Sequence, residues 1–387
     1  MPATDVRTLG FSPPVIGQAE IDAVVATLKS GWLSTGPRVR AFEEAFATYA
    51  GAPFAVALNS GTAALHLALH ALDIGAGDEV ITTPLTFCAT ANVIVHVGAT
   101  PRFADIDPVT WNLTAEAANA AVGPRTRAVL PVHYAGRPVD TVGFRALAER
   151  HGVALVEDAA HAVEAVSARR KIGSTADFTC FSFYATKNLT TGEGGMLTTD
   201  SDAWAEEARR LGLHGMSRDG WARYTRRGTA LYDVVAPGFK YNMPDLMAAI
   251  GLQQLPRLEE RLRRREAIWQ RYDEAFADLP LTRPAPVAAG DRHARHLYTV
   301  LVEPESGWQR DDLAASLRER GIVTSVHFRA VHLFSYYAER FGFRRGMFPH
   351  AERVSDCTLS LPLSAAMPDA HVDAVIDAVR QLVRRTT

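Results

Sequence analysis

The stretch Cys180-Phe-Ser-Phe-Tyr-Ala-Thr-Lys187-Asn188-Leu-Thr-Thr-Gly-Glu-Gly-Gly195 reads as a short apolar strand that delivers a lysine and then a glycine cluster. Its opening run, 178–183, is one of six. The others, 54–58, 79–83, 127–132, 153–157 and 195–198, are equally short and apolar and are bounded by Gly, Pro or Asp. Each is too short for a helix and rich in residues that suit a buried sheet. Between about residues 17 and 200 they alternate with amphipathic helical segments. That alternation predicts an α/β fold with a mainly parallel sheet joined through crossover helices.

Three local patterns along this region carry chemistry. A lysine on an apolar, hydroxyl-rich segment loses its proton through desolvation, and the free amine of Lys187 is then a nucleophile toward a carbonyl or an aldehyde cofactor. A solvated loop lysine has the same local sequence. Upstream, Val153-Ala-Leu-Val-Glu157-Asp158-Ala-Ala-His161 has the form of a strand whose carboxyl end presents two carboxylates and a histidine, and strand ends of parallel sheets are where ligands bind. Asp158 there is either a buried anion facing a protonated ring nitrogen or the cap of a following helix. Third, Ala55-Val-Ala-Leu-Asn59-Ser60-Gly61-Thr62 is a strand followed at once by a turn that opens a helix. Free amides and the helix dipole at Gly61 and Thr62 suit a phosphate, while Ser60 as an ordinary N-cap explains the same residues. The turn matches neither the Walker loop nor G-x-G-x-x-G. A phosphate cradle, a carboxylate at a strand end and a reactive lysine are together the three things pyridoxal 5'-phosphate needs.

The rest of the chain bounds the answer. Its 387 residues exceed one ordinary domain, so a large and a smaller domain are expected. With 41 basic and 43 acidic side chains the net charge is -2, which gives no basic field for nucleic acid or for an anionic membrane. Met1 to Gly17 lack the apolar core of a signal peptide, and no run of 18 apolar residues occurs, so a membrane role is not expected. Cys88, Cys180 and Cys357 lie far apart without C-x-x-C spacing, which fits a reducing cytoplasm. His66 and His70 stand four apart, but the glutamate that a zincin needs is missing and no metal is expected.

A first helix, about Ile16 to Lys29, places Ile21, Val24, Val25 and Leu28 on one face to pack across the domain, and Gly31 ends it. Trp221 to Gly238 reads as an exposed loop. A long helix starts near Pro244, taken as its first residue, kinks at Pro256 and presents Arg261, Arg263, Arg264 and Arg265 as a solvated face. Leu281 to Gly290 connects into a smaller α+β region, closed by a helix with Val372, Val375, Ile376, Val379 and Leu382 on one face.

Gly31-Trp32-Leu33-Ser34-Thr35-Gly36-Pro37, Ser60-Gly61-Thr62, Glu157-Asp158-Ala159-Ala160-His161, Phe181-Ser182-Phe183, Lys187-Asn188 with Gly192-Glu193-Gly194-Gly195, and Gly238-Phe-Lys-Tyr-Asn242-Met form one set. Over nearly the whole chain this set resembles the aspartate-aminotransferase-like, fold type I enzymes that use pyridoxal 5'-phosphate (PLP). Within them it resembles the DegT/DnrJ/EryC1/StrS family of nucleotide-sugar aminotransferases. The resemblance implies a large PLP-binding domain over 1–245, with its N-terminal helical segment. A long linking helix and a small α+β domain would follow over 246–387.

The resemblance also implies roles. Lys187 sits where the family's Schiff-base lysine sits and would shuttle the proton; Asp158 matches the carboxylate that keeps the pyridine nitrogen protonated. His161 matches a group near the ring and its phenolic oxygen, where many relatives have glutamine. Phe87 matches the aromatic stacked on the ring, although a core phenylalanine would look the same. Gly61, Thr62 and Ser182 match phosphate ligands, and Asn242 matches one supplied by the neighbouring subunit, which implies a homodimer with shared active sites. Tyr184 stands where relatives have histidine. The implied reaction moves the amino group of L-glutamate to a nucleotide-diphosphate keto-sugar, and Lys187 excludes the dehydratase branch that replaces this lysine with histidine. Pro131-Val132-His133-Tyr134-Ala135-Gly136, Phe239-Lys240-Tyr241-Asn242 and Val326-His327-Phe328-Arg329-Ala330 look most like the C4-aminating members, notably those acting on a UDP-4-keto-pentose in lipid A modification, and a TDP-4-keto-6-deoxyhexose is an equal alternative as substrate. The alternatives are amination at C3 and a non-catalytic PLP-binding regulator.

Overall fold

A computed structural model describes residues 9–217 and 232–383. All six apolar runs are strands of one sheet. Helices α1 (Gln18–Ser30) and α2 (Pro37–Ala50) precede β1 (Phe54–Leu58), α3 (Gly61–Ala71), β2 (Glu79–Thr82), α4 (Cys88–His96) and β3 (Thr100–Phe103). Then come α5 (Ala115–Ala121), β4 (Thr126–Leu130), α6 (Thr141–His151), β5 (Ala154–Asp158) and a small hairpin of β6 (Val166–Ser167) and β7 (Arg170–Lys171). The large domain's strands end with β8 (Phe178–Ser182) and β9 (Gly195–Thr199), and α7 (Asp202–Gly212) follows.

The sheet runs β1-β9-β8-β5-β4-β2-β3. Neighbours are parallel from β8 to β3, and β9 is antiparallel to both β8 and β1. The parallel part therefore has its carboxyl ends on one rim, where Asp158 closes β5. Strand β3 was not among the six runs, because Thr100-Pro101-Arg102-Phe103 carries a proline and an exposed arginine, as an edge strand tolerates.

The chain continues through α8 (Asp245–Gln254), α9 (Leu258–Ala275), β10 (Tyr298–Leu301), α10 (Arg310–Glu319), α11 (Ser335–Phe341), α12 (Pro349–Cys357), β11 (Thr358–Leu361) and α13 (Asp369–Val383), with α8 packed into the core of the large domain. Strands β10 and β11 pair antiparallel, and Trp269, Tyr272, Tyr298, Leu361, Val372 and Val379 share one core. Pro256 interrupts the long helix as expected, in a 3₁₀ turn over Leu255–Arg257 that separates α8 from α9. Pro244 is the N-cap of α8, in extended conformation, rather than its first helical residue.

Two expectations are corrected. The apolar stripe of α1 does not pack into its own domain: Ile21, Val25 and Leu28 are exposed, and the helix buries Glu20 and Thr27 instead. Glu20 accepts from the Gly17 amide and from Gln254 Nε2 and lies beside Arg257 and Arg261, so a polar network directs that face inward. The arginines of α9 are likewise only in part a solvated face: Arg263 is exposed and Arg264 half-buried. Arg261 and Arg265 are buried, Arg265 in an ion pair with the fully buried Glu164, because α9 crosses the large domain there. Of the expected loop, 221–231 lie outside the described residues; Tyr232, Val234 and Val235 beyond them are exposed. Among the described residues no helix is long and apolar enough to cross a membrane.

Candidate active site

The rim holding Asp158 gathers side chains from β5, from the segment after β8 and from the small domain. Asp158 is buried; Oδ2 accepts from Thr90 Oγ1 at 2.8 Å and Oδ1 from the Ala160 amide at 3.1 Å. No helix follows it, only turns, so the helix-cap alternative fails. Burial raises its carboxyl pKa, opposed by Thr90, the Ala160 amide, Lys187 and His133. Lys187 lies in the loop beyond β8, its amide donating to the Tyr184 carbonyl at 2.9 Å. Burial brings its ammonium down from 10.5 to about 8, and only the Asp158 charge opposes the shift. This is the depressed lysine that nucleophilic chemistry needs.

Three histidines surround this amine. His161 is buried, its ring 4.4 Å from that of His296 and 6.4 Å from that of His327, and burial and Lys187 keep all three imidazoles neutral. His161 Nδ1 is buried without a partner among the described residues, a polar atom left for something in the site to satisfy. The tautomer of His296 follows from its neighbour. Asn188 Nδ2 donates to Glu164 Oε2 at 2.8 Å and to the Ala294 carbonyl at 3.0 Å, so its Oδ1 accepts, and the proton of His296 sits on Nδ1, 3.0 Å away. The buried Arg265–Glu164 pair thereby fixes a histidine beside Lys187. Sequence reading missed His296 and Glu164; their signal was only that Asn188 adjoins the lysine.

The expected phosphate cradle is the start of α3. Ser60 is the N-cap, its Oγ accepting from the Ala63 amide at 3.1 Å and its carbonyl from the Ala64 amide at 3.2 Å. The amides of Gly61 and Thr62 precede the first intrahelical bond and stay available, so cap and cradle coexist. Ser182 ends β8 directly alongside: a Cβ on Gly61 would lie 2.9 Å from Ser182 Cβ. A Cβ on Gly195 would lie 2.4 Å from the Ser60 carbonyl carbon, so glycine there lets β9 carry the cradle against the sheet. Phe87 is the N-cap of α4 and 59% exposed, which excludes a core role and leaves its face free near Phe328, 6.0 Å away.

Asn242 donates to Thr35 Oγ1 at 2.6 Å and lines a separate cavity of about 710 Å³ with Trp32, Arg40, Arg209 and Arg210. Lys187 lines a narrow crevice with Ser12, Thr186, Asn188 and Arg265. Tyr184 is exposed. His66 is buried against Tyr241, with Nδ1 3.2 Å from its hydroxyl, and the described residues contain no cluster able to hold a metal. The available amides at Gly61 and Thr62, the carboxylate of Asp158, the amine of Lys187 and the unpartnered His161 nitrogen fit a phosphorylated pyridine aldehyde.

Comparison with known proteins agrees. The model of the DegT/DnrJ/EryC1/StrS aminotransferase family matches residues 14–380. The spore coat polysaccharide biosynthesis protein SpsC of Bacillus subtilis is 52% identical over 378 residues, 97% of each chain. Among solved structures, Spr1654 of Streptococcus pneumoniae in its PLP form superposes with a TM-score of 0.90 at 35% identity, covering 97% of this chain and 98% of that one. The aminotransferase PseC of Helicobacter pylori, involved in the biosynthesis of pseudoaminic acid, gives 0.90 at 28% identity, covering 97% and 99%.

Proposed function

Since the chain belongs to the DegT/DnrJ/EryC1/StrS aminotransferase family, we propose that it moves the amino group of L-glutamate to C4 of a nucleotide-diphosphate 4-keto sugar. It is a PLP-dependent aminotransferase, and the bound cofactor supplies an aldehyde for the amine and a ring that stores the electron pair released with the proton. With the cofactor bound, Lys187 would hold its aldehyde group and would move the proton to and from the donor's α-carbon. Asp158 holds the proton on the ring nitrogen, and the open amides of Gly61 and Thr62 with Ser182 bind the phosphate. Phe87 covers one face of the ring.

The observation that carries the C4 reading is the meeting of two segments at the Lys187 rim. The Tyr134 hydroxyl donates to the His327 carbonyl, and Phe328 stacks on His161 at 5.8 Å. Both segments are those whose sequences resemble C4-aminating members. The names of the relatives, in polysaccharide and pseudoaminic acid biosynthesis, support a sugar acceptor.

A homodimer with shared sites belongs to the same reading. The exposed Ile21, Val25 and Leu28 give α1 an apolar face to cover, and Asn242 lines a different cavity from Lys187 of the same chain. Cys88, Cys180 and Cys357 stand as free thiols, which suits the cytoplasm proposed for the enzyme.

The test is to incubate the protein with glutamate and either a TDP-4-keto-6-deoxyhexose or a UDP-4-keto sugar and to read the product by NMR. An amine at C4 is expected. Amination only at C3 would overturn the position and leave the reaction class standing.

A further inference from the structure

Behind Asp158 stand two buried hydroxyls. Thr90, in the first turn of α4 and 0% exposed, donates to Asp158 Oδ2 at 2.8 Å, and its oxygen lies 2.7 Å from Thr86 Oγ1, 2% exposed. A hydroxyl has one hydrogen. With Asp158 ionised, Thr90 commits its hydrogen to the carboxylate and must accept the hydrogen of Thr86. With Asp158 protonated on Oδ2, the carboxyl donates instead and both hydroxyls reverse. The direction of this pair is therefore locked to the charge on Asp158, and Thr86 strengthens the bond that Thr90 makes.

We propose that Thr86 and Thr90 form a directed hydroxyl relay that keeps the Asp158 carboxylate ionised and aimed, which makes both of them positioning residues for the cofactor's ring nitrogen. The inference rests on the reading of Asp158 as the partner of that nitrogen. The other groups facing Asp158 are few. Lys187 approaches from beyond β8; Cys180 pairs with it across β5 and β8; His133, after β4, donates its amide to the Asp158 carbonyl at 3.1 Å. Glu157, next in the strand, is satisfied elsewhere by Thr175 and Thr179 hydroxyls at 2.9–3.0 Å. Among the side chains of the described residues, only Thr90 donates a hydrogen bond to the carboxylate.

The sign of the effect is fixed. A hydrogen bond to the ionised form lowers a carboxyl pKa, so its removal lets Asp158 protonate at higher pH. Thr90→Val preserves shape and removes the donor. The protein stripped of cofactor is reconstituted with PLP and, separately, with its 1-deaza analogue, whose ring carries carbon in place of the nitrogen. Dissociation constants for both are read by absorbance. Wild type is expected to prefer PLP, and Thr90→Val to narrow that preference about tenfold. The acid limb of the bound cofactor's absorbance titration is expected to move up by about one pH unit. Thr86→Val should act in the same direction and less, and Thr90→Ser should restore both readouts.

The relay is overturned if Thr90→Val superimposes on wild type in preference and titration. It is also overturned if Thr90→Ser is as defective as Thr90→Val, since packing and not the hydroxyl would then be the cause. Asp158→Asn separates the two levels of the argument. If it keeps the full preference for PLP, the ring-nitrogen reading fails; if it loses the preference while Thr90→Val does not, only the relay fails.

Discussion

Asp158 closes β5, Lys187 follows the adjacent β8, and each opposes what burial does to the other. The lysine's charge pulls the Asp158 carboxyl down while burial pushes it up, and the carboxylate holds the Lys187 ammonium up while burial brings it to about 8. An acid and an amine are thus kept poised within one small volume, and the first two predictions follow from that balance.

Lys187→Ala is expected to abolish turnover while leaving the Gly61–Thr62 cradle able to bind PLP. After borohydride reduction of the wild-type holoenzyme, peptide mapping should find the cofactor on Lys187; attachment to another lysine would refute the assignment. The amine's pH dependence is a second check. Below about 8 the side chain is mostly protonated, so PLP association with the stripped protein should rise about tenfold per pH unit and level off above that value.

Asp158→Asn is expected to cost about a thousandfold or more in kcat with the fold intact, because an amide does not stabilise a positive ring nitrogen as a carboxylate does. Circular dichroism reports the fold and single-turnover kinetics the rate. A near-normal rate would reduce Asp158 to an anchor for its turn.

A heterodimer distinguishes shared from private sites. If one chain carries Lys187→Ala and the other Asn242→Ala, a shared arrangement puts both defects into one site and leaves its twin intact. Specific activity should recover to about half of wild type. If Asn242 serves its own chain, every site carries one defect and mixing restores nothing. Tagged, purified heterodimer assayed beside both mutant homodimers gives the answer.

Arg265→Met is expected to destabilise the protein by about 3–5 kcal/mol in denaturant unfolding, since it leaves the fully buried Glu164 carboxylate without its cation. Arg265→Met with Glu164→Leu should recover most of that loss. The double variant should still lower activity, because Asn188 loses the Glu164 oxygen that orients it toward His296.

The sheet was legible because buried strands betray themselves as short apolar runs, and the candidate site because Lys187, Asp158 and Gly61 stand at motif positions at or just beyond the ends of such runs. What sequence could not show depends on elements distant in the chain. Arg261 and Arg265 have the composition of a solvated helix, and only their contacts with Val15, Gln254, Glu164 and Arg295 reveal that they are inside. The stripe on α1 has the periodicity of a core helix, yet a hydrophobic pattern says that a face is to be covered and not by which chain. His296 lacked any local signal, because its role comes from Asn188, 108 residues earlier.

The position of β9 between β1 and β8 bears on how the protein is made. Strand β1 emerges early from the ribosome, but among the described strands its sheet neighbour is β9, about 140 residues later, so the strand that supports the start of α3 lacks that partner during most of the large domain's synthesis. Loop closure of this length is slow and precedes the contacts that reward it. A nascent chain that stops short of Gly195 therefore lacks the strand that packs against Ser60 and Gly61, and its α3 terminus has nothing to hold it beside Ser182. Ribosome-stalled chains should acquire cofactor affinity abruptly, as the segment from Gly195 to Thr199 clears the exit tunnel, and not by degrees as the earlier strands appear.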